Sequence, residues 1–286
     1  MRFVPVVDPE NKPLMPTTPS RARRWIQRGK ATPFWRRGLF CVRLNVEPSA
    51  RQVQAVAVGI DPGSKKEAFT VKSETHTFLN LQVDAVTHVR KAVEVRRAMR
   101  RARRFRKWRR PSRHNNRLAN RKQIPPSTKA RWQWKLRVCR SLAKLYPVAR
   151  VVVEDIRAET RTGARRWNES FSPLEVGKHW FYQEVSQIAP VETPSGWQTA
   201  EWRASLGLRK ASNKMAETFE AHCVDSWVLA NSWVSGHEAP ENREILFVVP
   251  LRFHRRQLHR LEAAKARWSS TRSGVWPISA GRAVIG

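Results

Sequence analysis

The sequence predicts an α/β fold, on the alternation of short apolar strand-like runs with longer helical patterns. Two further observations say where its function lies. The runs "AVAVGID" and "VVVEDI" each carry an acid at their end, and between Arg90 and Arg150 stand 23 Lys and Arg against a single acid, Glu94. Carboxylates at the edge of a core are costly in any protein, and in a chain this basic they call for a reason.

With 286 residues, 41% of them hydrophobic, the chain can bury a core of one large domain or of two to three smaller ones. Its formal net charge of +32 makes a polyanion the natural partner. A membrane surface is the competing partner. No segment approaches the roughly 18 uninterrupted apolar residues of a spanning helix, and the N-terminus does not read as a secretory signal, so no membrane partner and a cytoplasmic location are expected. Cys41, Cys139 and Cys223 lie far apart in apolar contexts and form no zinc framework, which fits buried thiols. Several of the 13 Trp interleave with Arg, where an indole can stack on a base or pack under a guanidinium.

Residues 1–52 read as a small unit, with five prolines in the first nineteen positions. A basic helix is expected from Ser20, as N-cap, to Gly29, as stop, and the strand "LFCVRL" follows. Arg21, Arg23, Arg24 and Arg28 have no neighbouring acid and are candidate phosphate contacts. Residues 53–84 read as a β-meander, with Asp61 leaving its first strand at the turn "DPGS". Residues 85–122 hold an Arg-rich helix and a polar connector. Arg96, Arg97, Arg100, Arg101, Arg103, Arg104, Arg106, Lys107, Trp108, Arg109 and Arg110 surround that helix on nearly every side. Burial alone cannot hold such a helix, whereas a nucleic acid running past it supplies counter-charge.

In residues 123–250 an amphipathic helix stops before Pro147 and feeds the strand "RVVVEDI". A helix over 173–188, a short strand near "APVET", one long helix from Ser212 to Gly236 and the strand "EILFVVP" complete the pattern. Residues 251–286 read as a short basic tail. The chain shows no internal repeat.

Three separated segments thus offer acids. Asp61 and Glu154 end strands, and His222 and Asp225 lie three apart on one helix face. Converging acids imply a bound cation or raised pKa values, and hard oxygen ligands suit Mg²⁺ or Mn²⁺. Two such ions about 4 Å apart stabilise the attacking and leaving oxygens of a phosphodiester displacement. In the strand, Glu154 is expected to point toward the other acids, and Asp155 to the opposite face.

"GIDPGS", "VVVEDI" and "EAHCVDSWVLA" resemble the three segments of a split RuvC-type nuclease core of the RNase H fold. The Arg-rich helix resembles the bridge helix of CRISPR effector nucleases. "PLMP" with "RARRWIQRGKA" resembles the PLMP, or RRXRR, module of the transposon-encoded IscB group. An HNH domain would need a cluster of His and Asn between Glu154 and His222, and that interval holds one histidine, His179. The resemblance is therefore to IsrB, the variant without HNH. It implies an RNA-guided nickase of the displaced strand, working as a monomeric ribonucleoprotein with a large structured guide RNA on double-stranded DNA. It further implies two Mg²⁺ held by Asp61, Glu154 and Asp225, with His222 orienting the attacking water. Two rival readings stand beside it: a junction-resolving nuclease that needs no RNA, and a nucleic-acid-binding protein without cleavage activity.

Overall fold

The computed structural model describes residues 3–48, 51, 53–105, 124–157, 172–213, 216–234, 236, 239–250 and 283–285. It contains two sheets. The N-terminal strands β1 (Val4–Val7), β2 (Pro13–Thr17), β3 (Ala31–Arg36) and β4 (Leu39–Leu44) form the smaller one, in the order β2-β1-β4-β3. Helix α1 (Pro19–Gln27) connects β2 to β3. It starts one residue before the expected Ser20 cap, because Pro19 has the fixed φ that suits a first helical position and Thr18 precedes it. Thr18 Oγ1 accepts from the Arg21 amide at 3.4 Å, which makes Thr18 the N-cap. Gly29, at φ 67°, ends the helix as expected.

The larger sheet is built from β5 (Val56–Asp61), β6 (Lys66–Ser73), β7 (Thr77–Asp84), β8 (Val148–Val153), β9 (Val191–Glu192), β10 (Ile245–Pro250) and β11 (Ala283–Ile285). Their order is β11-β10-β7-β6-β5-β8-β9. β5, β6 and β7 are the expected antiparallel meander; β8 adds parallel to β5, and β9 parallel to β8. A meander extended by parallel strands on the side of its first member is the topology of an RNase H-like core, the fold class expected from the sequence.

Helices cover both faces. Period two sends Val58, Ile60, Val151 and Val153 to the face packed by α3 (Pro126–Ala143) and α4 (Pro173–Ser186), where they meet Trp132, Leu136, Cys139, Phe181 and Val185. Ala57, Gly59, Val152 and the acids that follow belong to the other face, packed by α7 (Val224–Val234). A Cβ on Gly59 would stand 1.9 Å from the Ser226 carbonyl oxygen and 2.6 Å from the Ala230 nitrogen. Glycine therefore lets the α7 backbone rest directly on β5. The eight residues Val224 to Asn231 are all buried in consequence.

The single helix expected from Ser212 is two. α6 (Phe219–His222) begins after the extended Thr218, and Cys223, at φ −108° and ψ −3°, separates it from α7. Cys223 is buried at the break, and its thiol donates to the Leu81 carbonyl at 3.7 Å. The Arg-rich helix is α2 (His88–Phe105), and none of its residues is buried. Its expected continuation through Arg106, Lys107, Trp108, Arg109 and Arg110 lies outside the described residues, as does most of the 251–286 tail. Among the described residues, no helix is long and apolar enough to cross a membrane.

Candidate active site

Asp61 is the last residue of β5, and Glu154 is the first beyond β8. The Glu154 amide donates to the Ile60 carbonyl at 3.1 Å, so the parallel pairing carries on past the strand and holds the two acids side by side. Both fall on the α7 face, where Asp225 enters from the first turn of that helix, buried apart from 4% of its surface.

The Asp61 and Glu154 side chains are hydrogen-bonded to each other. Burial, the Asp61 charge and this bond push Glu154 up to about 7. Burial also raises Asp61, against the pull of Lys210 and with the added push of Asp225. Arg203 and Lys210 answer the acids. Arg203 Nη1 lies 2.5 Å from Asp225 Oδ1. Lys210 Nζ bonds Asp225 Oδ2 and stands 3.8 Å from Asp61 Oδ2. Asp61, Asp225 and Glu154 together hold the Lys210 ammonium above its ordinary value despite burial.

Arg203 lies on α5 (Gly196–Ser205), whose other end also touches the site. A Cβ on Gly196 would come within 2.9 Å of Glu154 Oε1. The capping box of Ser195 and Gln198 fixes this helix start, with the Ser195 amide donating to Gln198 Oε1 at 2.8 Å. α5 and the segment after it thus roof the acids. Arg203, Lys210 and Gly196 escaped the sequence reading. They lie in "SGWQTAEWRASLGLRK", which has no spacing that links it to Asp61, and only the tertiary fold makes them neighbours.

His222 closes α6, half-buried, and its Nε2 has no partner among the described residues. Burial and the nearby Lys66 hold it below its ordinary value. Among the described residues, no hydrogen bond links His222 to Asp61, Glu154 or Asp225. Asp155 lies across the sheet, 2.8 Å from Lys178 and 3.3 Å from the Tyr182 hydroxyl, both on α4. Arg21, Arg23, Arg24 and Arg28 line the exposed side of α1, with Arg21 stacked 5.0 Å from the Trp25 ring centroid. On α2, Arg96, Arg97, Arg100, Arg101 and Arg103 are exposed and Arg104 is half-buried.

The donor set fits a hard divalent cation: carboxylate oxygens, two of them in groups that burial and repulsion push up and that such an ion would ionise. Among the described residues, however, no group of three His, Cys, Asp or Glu is drawn together as a metal site. Lys210 and Arg203 supply the positive charge there.

The sheet order and the acid-bearing strand ends define a mixed α/β chain with an RNase H-like core. The model of a family described as "RRXRR protein" matches residues 4–168, more than half of the chain, and the chain belongs to that family. Among solved structures, Thermus thermophilus RuvC in complex with a Holliday junction superposes at TM-score 0.34 with 15% identity, covering 64% of this chain and 98% of that one. The yeast mitochondrial Holliday junction resolvase superposes at TM-score 0.32 with 12% identity, covering 65% and 80%. No curated protein matches the chain in sequence.

Proposed function

We propose that the chain is a divalent-metal-dependent DNA endonuclease that is directed by a guide RNA and nicks the displaced, non-target strand. The observation that carries the reading is the convergence of Asp61 and Glu154, held side by side at paired strand ends, with Asp225 on one sheet face around Lys210. Carboxyls gathered in one desolvated place, with raised pKa values, are the pattern that marks functional sites. Asp61, Glu154 and Asp225 would hold the metal, which when bound supplies electrophilic stabilisation of the phosphodiester in displacement. The chain's own part is to place these oxygens on rigid strand ends, to roof them with α5, and to keep Lys210 at hand as a counter-charge. His222, at the rim beside Lys66, would orient water. The exposed arginines of α1 and α2 would grip phosphates. The RRXRR membership and the Arg-rich α2 favour guidance by RNA over cleavage of bare junctions.

The test is to express the protein with the DNA that flanks its gene, to sequence the RNA that copurifies, and to assay nicking of a matching supercoiled plasmid. Asp61→Asn is expected to abolish Mg²⁺-dependent nicking and to leave RNA binding unchanged. Purification without RNA, with cleavage of bare junctions retained, would overturn the guided reading; loss of RNA binding in Asp61→Asn would make the acid structural.

A further inference from the structure

A cleft of about 400 Å³ lies where the N-terminal unit meets the core. Arg36 and Arg37 reach it from the β3–β4 turn, Arg137, Arg140 and Lys144 from α3 and its end, and Trp180 from α4. None of these residues belongs to the α1 or α2 sets.

Three features make it more than a solvated basic patch. Its charge is unbalanced: the wall holds one acid, Glu184, which Arg140 already takes at 2.8 Å. Among the described residues, Arg36, Arg137 and Lys144 have no acidic partner. Next, Arg37 sits in a turn with φ 50°, followed by Gly38 at 81°, a conformation that Asn or Gly adopts more easily. It is held there by a 2.5 Å bond from Nη1 to Ser141 Oγ, while Ser141 Oγ donates to the Arg137 carbonyl at 2.6 Å. A disfavoured turn residue is thus pinned with its guanidinium among like charges. Burial and the charges of Arg137 and Arg36 hold Arg37 below its ordinary value. Last, Trp180 offers a half-buried ring in the same wall, the partner that an unstacked base takes in single-stranded binding.

The position of the cleft selects among nucleic acids. α3 and α4 cover the sheet face opposite to Asp61 and Glu154, as the bonds from α4 to Asp155 show. A strand segment seated in the cleft therefore lies on the face away from the acids, and the half-buried Trp180 ring in its wall suits an unpaired base.

We propose that this cleft is a phosphate-binding site for the RNA, gripping its backbone at the seam between the N-terminal unit and the core. The inference rests on the RNA-binding part of the proposed function. Each phosphate neutralised by Arg36, Arg137 or Lys144 releases condensed counterions, at about 0.7–0.9 in log–log salt slope per contact.

The experiment measures binding of a fluorescently labelled RNA hairpin, and of a DNA duplex of the same sequence, against salt for the wild type and for Arg36→Gln/Arg137→Gln/Lys144→Gln. The three changed groups are half-exposed or exposed, and circular dichroism melting checks that the variant folds like the wild type. The expected result is an RNA slope shallower by about 2, with the DNA slope unchanged. Unchanged slopes for both probes would overturn the site, and a change confined to DNA would overturn its assignment to RNA. A wild type that binds neither probe with salt dependence would instead sink the RNA-guided reading itself.

Discussion

The two faces of the larger sheet both bury carboxylates, and they treat them in opposite ways. On the α3 side, Glu67 of β6 meets Lys135 of α3 at 2.6 Å, with the two side chains 0% and 5% exposed. One acid has one base, and apolar residues surround the pair. On the α7 side, Asp61, Glu154 and Asp225 face Arg203 and Lys210, three acids to two bases, and burial and their mutual repulsion push Asp61 and Glu154 up. The first arrangement is complete in charge, although Glu67 Oε2 is left without a hydrogen bond among the described residues. The second holds more acid than base, an excess that a divalent cation can neutralise, which separates an acid placed for stability from acids placed for chemistry.

The largest effect is expected on the complete side. Lys135→Met leaves Glu67 without its counter-charge in a site where burial already pushes its pKa up, and Glu67 Oε2 has no hydrogen-bond partner among the described residues. Loss of one member of such a pair costs about 3–5 kcal/mol. Urea unfolding is expected to show that loss, and the double variant Glu67→Leu/Lys135→Met to recover most of it. A cost below about 1 kcal/mol would erase the contrast between the faces.

Next in size is Gly59→Ala, which acts on the scaffold of the α7 side rather than on its charges. The added methyl meets backbone atoms of Ser226 and Ala230, which cannot swing aside as a side chain can. Overpacking of this kind costs about 1–3 kcal/mol. Because Asp225 rides on α7 and Asp61 ends β5, the same shift parts the acids, so nicking is expected to fall further than the melting temperature suggests. A variant that melts lower yet nicks normally would show that the approach of α7 to β5 serves packing alone.

What the sequence made legible follows the same division. Strands with alternating or continuous apolar runs, such as "AVAVGID" and "VVVEDI", and the acids at their ends were visible because period two is local. β2 was not, because "PLMPT" carries two prolines and pairs only as part of a small four-stranded sheet. The break at Cys223 was hidden for another reason: "EAHCVDSWVLA" has unbroken helix-forming character, and the thiol bond to Leu81 that accompanies the break comes from a strand distant in sequence. The acids could be found one segment at a time, but their counter-charges could not. Arg203 and Lys210 look like any other basic residues of a chain with 55 Lys and Arg.

The smallest effect sharpens the contrast most directly, because it reads the titration of Glu154 itself. Glu154 titrates near 7 in the fold, against an ordinary value of 4.5. Between those values the native chain keeps a proton that the unfolded chain has released, so the native state binds more protons and its stability falls as pH rises. The contribution is whole below about pH 4.5 and lost as pH climbs through about 7. Glu67 slopes the same way on the other face, where its pKa is also raised, so the wild type alone does not isolate the site. Glu154→Gln does: it removes the titration while keeping a hydrogen-bond donor toward Asp61. Unfolding free energies across this window are expected to decline less steeply in Glu154→Gln than in the wild type, and Mg²⁺ is expected to flatten the wild-type profile by favouring the ionised carboxyls. Parallel profiles, with and without Mg²⁺, would mean that Glu154 and Asp61 are ionised independently, and the α7 side would then be no more poised for a cation than the pair of Glu67 and Lys135.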